Sequence, residues 1–156
     1  MKNAMRNFTI STESESSFPH TLDVVREALR QERLQVIAEL PFEQKLEEAT
    51  GVKWSKYTVL VVWSPLDAPH AVLSGREAGL FIPFNVVVKK GDETTVVTAM
   101  THDLWDTPNQ PIELRSLLRE VDLKVRRALL SIPKERSTQI GLHVESRMPE
   151  VQLHVA

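Results

Sequence analysis

Residues 57–100 read YTVLVVWSPLDAPHAVLSGREAGLFIPFNVVVKKGDETTVVTAM, and their punctuation decides the fold. The run TVLVVW at 58–63 is β-branched and almost continuously apolar, the pattern of a strand covered on both faces. Ser64-Pro65 ends it, because proline has no N–H to give a ladder. Residues 66–78 carry helical character, broken by Pro69 and Gly75. Two more strands are predicted at 84–89 and 94–99, and Lys90-Gly91-Asp92-Glu93 between them is a hairpin signature.

Upstream, Phe8 and Ile10 alternate within a first strand over 7–13. Pro19 precedes a helix over 21–33, with Thr21 as N-cap and Asp23 in the positive first turn. Leu22, Val25, Ala28 and Leu29 form its apolar stripe. Residues 34–40 read as a strand stopped at Pro41, and FEQKLEEAT at 42–50 as a short helix closed by Gly51. Downstream, the loop 101–110 carries Trp105 and Pro108. The longest helix spans 111–132, with proline at its first position and Leu114, Leu117, Leu118, Val121, Val125, Ala128, Leu129 and Ile132 at helical spacing.

This order, β-α-β-(short α)-β-α-β-β-α, is met most economically by an α+β domain, a single antiparallel sheet with helices packed on one face. Residues 1–133 form that domain. Residues 134–156 read as a C-terminal tail, either flexible or an added edge strand, since Val151, Leu153 and Val155 alternate.

Composition excludes several classes. The 156 residues are 42% apolar and 26% charged, as in ordinary globular domains. A net charge of −2, with both signs well mixed, supplies no field for nucleic acid or anionic lipid. With no cysteine, disulfides, thiolate nucleophiles and cysteine-ligated zinc are ruled out. No apolar run reads as a signal peptide or a membrane span, so the expected location is cytoplasmic.

Three stretches resemble the domain-of-unknown-function family 302: LDVVREALRQERLQVIAEL, a helix followed by a strand; VLVVWSP, a strand ending in a polar residue and proline; and EAGLFIPFNVVV, the approach to the hairpin. The resemblance covers about Thr21 to Ala99 and consists of fold signatures. It implies a compact α+β domain that associates as a homodimer, with no established activity. Many members place cysteines before the polar-proline corner and just after the hairpin proline. Here Trp63 precedes Ser64-Pro65 and Phe84 follows Pro83, so any thiol or metal chemistry of those groups is missing.

Candidate sites cluster on the rim of this scaffold. Asp67 and His70 are three residues apart and can share a helical face; with His102 and Asp103 they make a conceivable His/carboxylate set. The plainer reading makes Asp67 a helix cap and the others solvated loop residues. Trp105, between Asp103 and Asp106, can wall a small-ligand pocket with His102 as proton carrier, or simply close one end of the core. Ser64 has no G-x-S-x-G context, and SGREAG lacks the phosphate-loop pattern; Gly79 is expected to end a helix in the left-handed region. Arg115, Arg119, Lys124, Arg126 and Arg127 alternate with Glu113, Glu120 and Asp122, which reads as solubilising charge. One end of the final apolar stripe can cover a dimer partner.

The expectation is therefore a homodimeric, non-catalytic domain that binds a small molecule or a protein through Asp67, His70, His102, Asp103 and Trp105, without cofactor or metal, and with no nucleic-acid or membrane partner. The alternative is a small metal-dependent or acid/base enzyme using His70 and His102.

Overall fold

In the computed structural model, which describes residues 9–101 and 109–135, the β-branched runs become strands and the periodic runs helices. The elements in chain order are β1 (Thr9–Ser14), α1 (Phe18–Gln31), β2 (Gln35–Pro41), α2 (Phe42–Thr50), β3 (Tyr57–Trp63), α3 (Ala68–Ser74), a 3-10 turn (Arg76–Leu80), β4 (Phe84–Lys90), β5 (Thr95–Met100) and α4 (Ile112–Leu130). The strands form one antiparallel sheet in the order β1-β5-β4-β3-β2. The fold is α+β, as expected.

Register separates two faces. One row across the sheet runs Glu39–Leu60–Val86–Ala99–Ile10, and the next Pro41–Thr58–Val88–Val97–Thr12. Leu60, Val62, Val86, Val88 and Val97 on this face are fully buried, beneath Val25 and Leu29 of α1 and Leu114, Leu118, Val121 and Val125 of α4. The other face presents the row Leu40–Val59–Val87–Thr98–Ser11, flanked by Ala38, Val61, Trp63, Tyr57 and Val96. Along β3 burial alternates, with Thr58, Leu60 and Val62 inside and Tyr57, Val59, Val61 and Trp63 half-exposed. The expectation that β3 is covered on both faces is thus met on one face by the described residues.

Several boundaries move, each for a local reason. Helix α1 begins at Phe18, not Thr21, because Ser17 is the cap and its hydroxyl accepts from the His20 N–H. Pro19 sits inside the first turn, where a helix needs no donor. Thr21 is fully buried, donating its hydroxyl to the Ser16 carbonyl at 3.4 Å. Asp23 lies beyond the first turn and pairs with Arg26 at 2.6 Å. Gly79 does not adopt a left-handed conformation; the positive φ values belong to Gly51, at 68° after α2 as expected, and to Arg33, at 59° after α1. At the hairpin, a Cβ on Gly91 would stand 3.0 Å from the Thr94 carbonyl oxygen, a close approach that explains glycine there.

Side-chain pairs fasten the layers. Arg26 of α1 clasps Glu39 of β2 through Nε to Oε1 at 2.6 Å and Nη2 to Oε2 at 2.7 Å. Glu43 of α2 is buried, and its carboxylate accepts from Lys56 Nζ at 3.3 Å and from the Tyr57 N–H at 3.2 Å. No helix among the described residues is long and apolar enough to cross a membrane.

Candidate functional site

The corner after β3 holds a buried polar cluster that joins three elements of the chain. Proline at 65 stops the strand, and the chain turns through Asp67 into α3, with the Ala68 N–H bonding the Ser64 carbonyl at 2.8 Å. This turn brings the Ser64 hydroxyl onto Asp67 Oδ2 at 2.5 Å. Lys124 Nζ, from the middle of α4, donates to the same oxygen at 2.6 Å. All three residues are buried, with Lys124 at 9% exposure. A buried ammonium needs such a partner, since an unpaired charge at this depth costs several kcal/mol, roughly 3 or more.

The chemistry of the arrangement follows from who holds whom. Serine activation by lysine requires the amine to accept the hydroxyl proton. Here the ammonium and the hydroxyl both donate to one carboxylate, so neither is a base for the other. The cluster pins the β3–α3 corner to α4.

Of the residues singled out from sequence, Asp67 occupies the N-cap position of α3 but makes no side-chain cap bond. Its carboxylate points inward to Lys124, while His70, one turn on, is exposed. The two are not brought together. His102, Asp103 and Trp105 lie outside the described residues, among which no group of three or more His, Cys, Asp or Glu is placed to hold a metal.

Sequence reading missed Lys124, treating it as solubilising charge. Asp122 was missed likewise; it is buried and receives Arg126 Nε at 2.6 Å. A signal existed: Lys124 is three residues after Val121 and four before Ala128, on the stripe's own face. Its partner, 57 residues away in sequence, left no such trace.

The second feature is the sheet face opposite α1 and α4, which among the described residues is met at its hairpin end by Phe42 of α2, its ring centroid 5.7 Å from that of Tyr57. Leu40 is 50% exposed and Met100 49%, and between them lie half-exposed Val59, Val61 and Val87. A depression at its hairpin end is lined by Tyr57, Val87, Lys89, Gly91, Val96 and Thr98.

Comparison with known proteins bears on the fold. The crystal structure of an uncharacterised conserved DUF302 protein from Bacillus stearothermophilus superposes with a TM-score of 0.70, at 19% identity, covering 81% of this chain and 98% of that one. No curated protein matches the chain. Residues 10–132, from within β1 to just past α4, match the family described as Domain of unknown function DUF302. By that match the chain belongs to the DUF302 family, whose fold it shares.

Proposed function

We propose that this domain is a non-catalytic association module, and that its first partner is a second copy of itself, docked through the sheet face opposite α1 and α4. The observation that carries this reading is the apolar row Leu40–Val59–Val87 with Val61, Trp63 and Val96 around it, of which the described residues leave Leu40 exposed and the others half-exposed. Four inter-strand gaps of ~4.8 Å and about six steps of ~3.3 Å span roughly 400 Å² in projection, with the apolar side chains at its centre, a size in the range of the largest patches of monomers. Two such faces can stack about 10 Å apart, with valines interdigitating across a two-fold axis. The charged residues of this face, Lys89 and Glu13, share its hairpin-end row and so form a polar rim.

The test is the mass in solution. Light scattering at micromolar concentration should give twice the 17.7 kDa of the chain. Val59→Glu, which puts a charge at the centre of the face, should give the single-chain mass with an unchanged circular dichroism spectrum. A monomeric wild type, or a dimer that tolerates Val59→Glu, would defeat the reading.

A further inference from the structure

Helix α2 is built inside out. Glu43, Glu47 and Thr50 follow at helical spacing on one stripe, and Phe42, Leu46 and Ala49 on the next. A surface helix ordinarily turns its apolar stripe to the core. In α2 the polar stripe serves its own chain instead. Glu43 is buried and accepts from the Tyr57 N–H; Glu47 Oε1 accepts from the Trp54 N–H at 3.0 Å, and Thr50 Oγ1 from Trp54 Nε1 at 3.1 Å. The apolar stripe is left open, with Phe42 41% exposed, Ala49 exposed and Leu46 half-buried. Val52, just past the helix, is 60% exposed. Phe42, its ring against Tyr57, joins this stripe to the sheet face opposite α1 and α4.

We infer that α2 is a docking arm: the Phe42–Leu46–Ala49 stripe of each copy, with Val52 beside it, packs on the hairpin end of the other copy's sheet face. The inference rests on the association proposed above and names the element that completes it. The sheet face spans roughly 400 Å² in projection, whereas a stable interface buries about 800 Å² per partner, so a dimer needs more surface than the sheet carries. The stripe of α2 supplies it at the margin of the same face. Strand β4 is the middle one of the five. A two-fold axis along β4 lays β2 and β3 of one copy over β1 and β5 of the other. Helix α2, which joins β2 to β3 at the hairpin end, then stands over the hairpin end of β5. That end carries a depression of about 450 Å³ between Tyr57, Val87, Val96 and Thr98, which can receive apolar side chains.

Two arginines on opposite sides of α2 test the arm. Ala49→Arg puts a charge on the apolar stripe, and Gln44→Arg puts the same charge on the far, exposed side. By light scattering over a dilution series, Ala49→Arg should raise the dimer Kd about tenfold or more, and Gln44→Arg should leave it within about twofold. Both should keep the wild-type circular dichroism spectrum. A dimer that Val59→Glu dissociates and Ala49→Arg leaves intact would overturn the arm while sparing the association through the sheet. Equal weakening by the two arginines would overturn it as well, and a monomeric wild type would overturn both proposals. Independently, a benzophenone side chain at position 49, photolysed in a mixture of isotopically light and heavy copies, should join one chain to residues 87–98 of the other. Links confined to one chain, or reaching α1 or α4 of the other copy, would equally overturn the arm.

Discussion

Asp67 shows how much one carboxylate can hold in place. It accepts from Ser64 and Lys124 together. Removing it strands a buried ammonium, so Asp67→Ala should destabilise by about 3 kcal/mol in urea unfolding. Adding Lys124→Met should return more than about 1 kcal/mol of that loss, because the orphaned charge goes with it. Additive losses would refute the coupling. Arg33 is the opposite case, a residue whose side chain is exposed while its backbone is strained at φ 59°. The chain turns there from α1 into β2, with the Leu34 N–H reaching back to the Leu29 carbonyl at 3.0 Å. Arg33→Gly should raise stability by up to about 1 kcal/mol, read as a higher melting temperature. Glycine at 51 made one helix end legible in the sequence, and arginine at 33 concealed the other.

Among the elements, α1 and β2 are tied by a charge pair whose pH dependence is defined. The hydrogen bond from Arg26, with the nearby positive charge, holds the Glu39 carboxyl below its ordinary value. A depressed carboxylate pKa contributes stability that is present above the unfolded value, about 4.3, and is lost as pH falls through the folded one. Both side chains are more than a third exposed, at 38% and 36%, so the pair contributes only about 0.5 kcal/mol. Glu39→Gln should therefore be weaker than wild type at pH 7, with the gap closing below about pH 4. A gap that persists at pH 3 would mean the contact is packing and not charge. The helices and strands themselves were largely readable, because period 3.6 in α4 and β-branching in β3 are local signals. The start of α1 was misplaced by three residues since Pro19 reads as a barrier, whereas at the second helical position it is harmless.

For the whole molecule, a dimer built on the open sheet face links stability to concentration. The melting temperature of wild type should rise with protein concentration, because association binds only folded chains, and that of Val59→Glu should not. Equal concentration dependence in both would place the contact elsewhere. The near-continuous apolarity of TVLVVW pointed to cover on two faces, and the described residues supply it in full on one and in part on the other. That difference between what the strand's composition asks for and what its own helices provide is what directs attention to a second copy.

The sequence by itself determined the elements, their order and the single antiparallel sheet, because helical and strand periodicities, prolines at 65 and 83 and glycines at 51 and 91 all act within a few residues of themselves. Only the tertiary structure decided that Lys124 meets Asp67, that Asp67 and His70 part company, and that the chain after α4 touches the edge of β1. The first and last of these are contacts between residues 57 and 119 positions apart (124 less 67, and 134 less 15). Each is set by which helix the sheet carries on which face, a choice no local window of sequence contains.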